Sequence, residues 1–228
     1  SFRYNSAIQL SDKIKIGENF SYTLINGQSA FTGTQTADGG TNYNGVIAAA
    51  IKAPPFVPVY NSEGVYSDVS DGQNGDVIHP LGTLERINID NPERNTFGNL
   101  FLEYKPTEKL TLKSSYAINY SDEFYKEFDP RVAEASKLSK TTNTLTQIQA
   151  NEINWSWENT LNYTTKFNDA HAFQLLGGYS LQHQERELNG IVAEGFENED
   201  PKFLFLPLAE EIKDITYSFF ENNLISFF

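Results

Sequence analysis

Cysteine and methionine are both missing from the 228 residues. The first absence excludes disulfides, thiolate metal sites and a cysteine nucleophile together, and is compatible with an exported bacterial protein. Without Met the chain does not begin at a translational start, so a processed product or, preferably, a fragment is expected. Long apolar runs are missing too: none approaches the roughly 20 residues a membrane-spanning helix needs, and no signal-peptide pattern occurs. A helical membrane protein is thereby excluded. Positive charge is scarce, with 17 Lys and Arg against 30 Asp and Glu and a net charge of -13. Displacing counterions from phosphates needs clustered Lys and Arg, so nucleic acid is not an expected partner.

What the chain has is aromatic residues, 14% of the total with 12 Tyr and 17 Phe, set in a two-residue alternation that puts successive side chains on opposite faces of a strand. Six segments show it. Phe2, Tyr4, Ile8 and Leu10 oppose Arg3, Asn5 and Gln9; Ile14, Ile16, Phe20, Tyr22 and Leu24 oppose Lys15, Asn19, Ser21 and Thr23, with Glu18 breaking the pattern. Leu100, Leu102 and Tyr104 mark a third and weaker segment from about 96 to 105. The fourth sets Leu110, Leu112, Tyr116, Ile118 and Tyr120 against Thr111, Lys113, Ser115 and Asn119. In the fifth, Ile153, Trp155, Trp157, Leu161, Tyr163 and Phe167 oppose Asn154, Ser156, Glu158 and Lys166. The sixth sets Phe173, Leu175, Tyr179 and Leu181 against Gln174, Ser180 and Gln182, and a seventh is expected from near Tyr217 to the last residue.

Connection lengths alternate as well. Tight turns are expected near residues 11, 107 and 169, and long links over about 25–95, 121–152 and 187–216; loops of that length are usually functional. Segments of about 10 residues, plain turns at one end, long loops at the other and aromatics near strand ends are the signature of a transmembrane barrel. Tyr104, Phe167 and Phe173 fall beside short turns, and Tyr22, Tyr120, Trp155 and Trp157 towards long loops. The apolar faces carry one charge, Glu18, whereas the opposite faces carry Arg3, Lys15, Glu103, Lys113, Glu158 and Lys166. A charge facing mid-bilayer lipid costs up to a few kcal/mol, which accounts for the asymmetry. The expected fold is therefore all-β, an antiparallel up-and-down transmembrane β-barrel represented by about six to seven strands of a larger barrel. The competing architecture is a secreted β-sandwich that binds carbohydrate, which would bury the same apolar faces in a core; a passive porin is a third.

No constellation for chemistry stands out. His79, His171 and His183 lack metal-site spacing. Asp68 to Asp76 has the acidic and Gly content of a calcium loop without its alternating ligands or terminal Glu, and reads as a solvated loop. Gly39-Gly40 and Gly177-Gly178 are not phosphate loops, since neither sits between a strand and a helix. With no nucleophile elbow and no helical zinc motif, the chain is read as a non-enzyme without a cofactor. The candidate contact residues for a solute or partner are the long-loop aromatics Phe56, Tyr60, Tyr66, Phe203 and Phe205, with loop-on-loop packing as the plain alternative.

Three stretches resemble the SusC/RagA-type TonB-dependent transporters of Bacteroidetes outer membranes: Ile47 to Gly64 (IAAAIKAPPFVPVYNSEG), Asn95 to Tyr120 (NTFGNLFLEYKPTEKLTLKSSYAINY) and Glu158 to Gln182 (ENTLNYTTKFNDAHAFQLLGGYSLQ). The first looks like that family's outer-loop segment, a short Ala-rich helix stopped by Pro54-Pro55 and followed by an extended piece to Tyr60-Asn61. The others look like barrel hairpins. The resemblance implies residence in the Gram-negative outer membrane, in contact with its lipid, and import of oligosaccharides or peptides. It implies further a SusD-like surface lipoprotein over the loops and energy from the TonB complex through a plug. On this reading residues 1–228 belong to one receptor barrel domain, residues 25–95 form a long extracellular loop within it, and the plug is absent from the chain.

Overall fold

Alternation becomes long antiparallel strands in the computed structural model, which describes residues 1–27, 45–64, 66–67, 69–71, 75–77, 79–131, 141–168 and 171–228. In chain order the elements are β1 (Phe2–Ser11), β2 (Ile14–Ile25), α1 (Val46–Lys52), β3 (Val69–Asp71), β4 (Gly75–Val77), α2 (Pro80–Arg86), β5 (Asn88–Asp90), β6 (Glu93–Thr107), β7 (Leu110–Asp129), β8 (Thr144–Asn168), β9 (His171–Glu194) and β10 (Glu211–Phe227). Among the described residues one eight-stranded sheet runs β1-β2-β6-β7-β8-β9-β10, with β5 added beside β7, while β3 and β4 pair separately. Every pairing along this path is antiparallel. The result is an up-and-down wall with its tight connections at one end, after Ser11, Thr107 and Asn168, and its long ones at the other.

Register decides which side chains share a face. Leu100, Tyr116, Trp157, Leu181 and Ile225 lie opposite one another across five strands. One residue over, the row is Gly17, Phe101, Ser115, Glu158, Ser180 and Ser226. The first row belongs to an apolar belt; the second lines the inner face. On β7 the belt extends from Leu110 to Tyr120, which at about 3.4 Å per residue and a tilt near 40° is about 26 Å tall, the height of a bilayer's apolar band.

The belt is not a core. Leu100 is 57% exposed, Leu175 53% and Ile225 61%, and no second sheet among the described residues packs over them. The β-sandwich alternative fails here, because it requires those faces to be buried against each other. An apolar surface of this extent is stable against hydrocarbon, not water. The buried cluster of Phe128, Leu145, Ala193, Phe196 and Leu204 sits instead at the long-loop end, with Phe128 and Phe196 meeting edge to face at 6.1 Å.

Several expectations change. The links expected over 121–152 and 187–216 are shortened by strand from both ends: β7 continues to Asp129, β8 begins at Thr144, β9 continues to Glu194 and β10 begins at Glu211, before Tyr217. Beyond the membrane both faces of a ribbon meet water, so pairing persists while alternation in polarity stops. The weak third segment is full-length β6, whose Phe97 and Phe101 share the inner face. Phe101 occupies the space over Gly17, where an added Cβ would collide with its ring, and Lys113 Nζ sits 5.2 Å from the ring centroid. A bulky ring on the polar face is thus accommodated by a glycine on the neighbouring strand. Glu18, the charge in the belt, accepts a hydrogen bond from Ser6 Oγ at 3.1 Å. Trp157 stands level with Tyr116 and Leu181 in mid-belt, not near the long loops, and its indole N–H donates to Ser114 Oγ at 3.0 Å. That bond replaces the water an interfacial indole would use.

Candidate functional site at the long-loop end

Of the five expected aromatics, two come together. Pro54-Pro55 ends α1, because proline offers no N–H and its predecessor is held extended. The chain then turns between Tyr60 and Tyr66, which form an isolated antiparallel bridge. Asn61 Oδ1 accepts from Glu63 N at 2.9 Å, and Gly64 takes a φ of +77° that a side chain would strain. The two rings lie 5.0 Å apart, and Tyr66 stacks on His79 at 5.4 Å. Gly82 of α2 lets this helix close on Tyr66, since a Cβ there would come within 2.9 Å of the ring. Hydrogen bonding with Tyr60, then with Glu85, pushes the Tyr66 phenol up from its ordinary value. Tyr66 is part-covered, Tyr60 is 54% exposed, and Phe56 is 71% exposed without a ring contact among the described residues.

Phe203 and Phe205 are placed by the residue between them. Leu204 is anchored in the buried cluster, and Lys126 Nζ donates to its carbonyl at 3.3 Å. Phe203 ends a 3-10 turn (Pro201–Phe203), the chain bends tightly at Leu204 with Phe205 N donating to Phe203 O at 3.0 Å, and both rings are about half exposed. The structure therefore forms two separate aromatic outcrops. Of the calcium-like stretch Asp68 to Asp76, residues 68 and 72–74 lie outside the described residues, as do Gly39 and Gly40.

Sequence reasoning missed the clamp that fixes these loops. Asn143, fully buried, donates through Nδ2 to Phe196 O and to Glu199 Oε1, each at 2.8 Å, and accepts from Phe196 N at 2.7 Å. Arg131 donates to Glu199 Oε1 through its backbone N at 3.0 Å and Nε at 2.9 Å, and to Phe196 O at 3.0 Å. The clamp ties the β7–β8 connection to the β9–β10 connection. Its partners are 53 to 68 positions apart, and no local pattern marks them. Burial pushes the Glu199 carboxyl up, but the bonds from Arg131 and Asn143 outweigh it and hold the group below its usual range. A carboxyl lowered in the folded state contributes stability that is present above its unfolded value and lost as pH falls through the folded one. Acidification through the carboxylate range is therefore expected to speed amide exchange around Phe196, and Glu199→Gln to flatten that dependence; an unchanged pH profile in the variant would contradict it.

Below the loops the inner face is rich in amides. Glu152 accepts from Asn154 at 2.8 Å and from Gln184 at 3.0 Å, with Arg186 at 3.9 Å. Just beneath, Phe97, Asn119, Asn154, Gln182, Gln184 and Asn222 border a recess of about 370 Å³. The recess offers both donors and acceptors, and no Lys, Arg, Asp or Glu lines it.

No family model matches the chain. Over its full length it is 25% identical to TonB-dependent receptor P26 of Formosa agariphila, and over 80% of its length it is 28% identical to TonB-dependent receptor P3 of the same organism. Its fold superposes on the RagAB peptide transporter with a TM-score of 0.75 over 99% of the chain at 17% identity, and on the open-open state of the RagAB peptide importer with a TM-score of 0.73 at 16% identity. The chain is similar to TonB-dependent receptors and has the fold of the RagAB barrel wall. The chain spans 22% and 18% of the two Formosa relatives and 25% of the RagAB chain it matches. In a barrel of this fold, belt and amide-rich face are the outside and inside of the wall, and the clamp and aromatic outcrops lie at its long-loop end.

Proposed function

We propose that this wall works in the Gram-negative outer membrane as part of a barrel that imports a large solute, an oligosaccharide or a peptide, using energy from the TonB complex through a plug outside this chain. The observation that carries the reading is the opposition of a bilayer-height apolar belt to an amide-rich inner face, capped at one end only by long loops. Polar inner walls pass hydrated cargo, while the belt satisfies lipid. A SusD-like surface lipoprotein covers the loops, and Phe56, Tyr60, Phe203 and Phe205 provide exposed ring faces for solute or lipoprotein, with Tyr66 stacked behind Tyr60 as its support. The work is binding and translocation, not catalysis.

The full-length parent protein is expected in outer-membrane fractions, released only by detergent, with uptake lost when TonB is deleted. Recovery in buffer without detergent would overturn the reading. Alanine at Tyr60 together with Phe203 and Phe205 is expected to weaken solute or lipoprotein binding at least several-fold while leaving folded barrel levels unchanged. Calorimetric titration of the purified variant checks this, and unaltered affinities for both would remove the aromatics from the contact surface.

A further inference from the structure

Charge is segregated along the inner face. Between Asn119 and the long loops, β6, β7 and β8 bring Glu93, Glu123, Glu127, Asp129 and Glu152 to that face, against Arg186 of β9. Two other cations of this end are held elsewhere, Lys213 at 2.7 Å from Glu211 and Arg131 at 2.9 Å from Glu199. Near the short turns the inner row Lys15, Glu103 and Lys113 has the opposite balance. A concave wall lined by one sign of charge raises the local concentration of solutes carrying the other. The long-loop end of this wall therefore favours cations.

Within the acidic zone the wall is hollowed. Glu93, Glu123, Tyr125, Ile148, Arg186 and Leu188 border a recess of about 220 Å³. Whole small-molecule sites run to roughly 300–1,000 Å³, so this one takes a single side chain rather than a whole solute. Register places its charges: Glu93 of β6 lies directly opposite Glu123 of β7, and like charges so placed destabilise a sheet. Arg186 does not offset the pair, because it is shared between Glu123 at 3.8 Å and Glu152 at 3.9 Å, beyond hydrogen-bonding distance of either. Glu93 accepts from the amide of Asn95, a neutral donor that leaves its charge in place. Ile148 and Leu188 give the same recess an apolar side. Two carboxylates beside an apolar wall match a cation carried on a hydrocarbon stem, which neither a neutral sugar nor a hydrated metal ion is.

We propose that this recess receives the Lys or Arg side chain of a peptide, its cation at Glu93 and Glu123 and its stem along Ile148 and Leu188. The inference rests on the import reading of the proposed function and narrows the solute from oligosaccharide or peptide to basic peptides.

The full-length parent, extracted in mild detergent with any lipoprotein that copurifies, is to be incubated at low ionic strength with a random-sequence oligopeptide library, and the bound peptides read by mass spectrometry. Wild type should enrich Lys and Arg by about fivefold, the upper end for a partly exposed ion pair. Glu93→Gln combined with Glu123→Gln should abolish the enrichment, with heat-modifiable gel migration showing that the barrel is folded. No bound peptide, an unenriched bound set, or enrichment that survives the double substitution overturns the proposal. Should the double variant fail to fold, wild type decides with an Arg-free library before and after lysine acetylation, which removes the charge and keeps the stem: recovery of Lys-bearing peptides must fall several-fold, and unchanged recovery overturns the proposal. TonB-dependent uptake of an oligosaccharide without any bound peptide removes this inference and leaves the import reading intact, whereas a parent recovered without detergent removes the import reading itself.

Discussion

Leu181→Arg is expected to destabilise the folded barrel by about 2–4 kcal/mol, the cost of a midplane cation on a lipid-facing strand. Leu181 lies between Trp157 and Ile225 in the middle row of the belt, with no carboxylate opposite it. Its neighbour Gln182 faces the amide-rich recess, so Gln182→Arg should stay within about 0.5 kcal/mol of wild type, as exposed substitutions usually do. Unfolding titrations of the full-length protein in lipid vesicles measure both. The contrast between adjacent residues is the informative quantity, because a general intolerance of β9 to arginine would affect both alike. Equal losses would remove the assignment of lipid to the Leu181 face.

Asn143→Ala should open the long-loop end locally by about 2 kcal/mol. The substitution strands the Phe196 N–H, leaves the Phe196 C=O to Arg131 alone and removes one donor from Glu199, and a buried polar group left unsatisfied costs about 1–3 kcal/mol. The belt and short turns lie far from this clamp and should keep their stability, so the expected signature is regional. Amide exchange should accelerate at Phe196, Leu145 and Phe128 while the middle of β7 and β8 stays protected. Uniform acceleration along β8 would mean that the clamp holds up the whole wall; no acceleration would mean that the buried cluster suffices without it.

Legibility followed solvent. Where one face meets lipid and the other water, each strand writes its own period, and β2, β7 and β8 could be read residue by residue. Trp157 was misplaced because distance along the chain to a loop does not give depth once β8 runs on past the membrane. Phe97 and Phe101 blurred β6 for another reason: the space that accepts Phe101 is made by Gly17 on a different strand. Of the contact aromatics, the Tyr60–Tyr66 pairing follows from a local turn, but the outward set of Phe203 and Phe205 depends on Leu204 finding Phe128, Leu145 and Phe196.

The sequence by itself determined that the chain makes antiparallel strands with one greasy face, tight turns at one end and elaboration at the other, because polarity alternation and turn residues act within a few positions. Only the tertiary structure decided the register that sets Glu93 opposite Glu123, the length of the strands beyond the bilayer, and the Asn143–Arg131–Glu199 clamp. Those depend on partners on other strands and loops, up to 68 positions apart, and contacts at that separation leave no periodic mark on the chain that makes them.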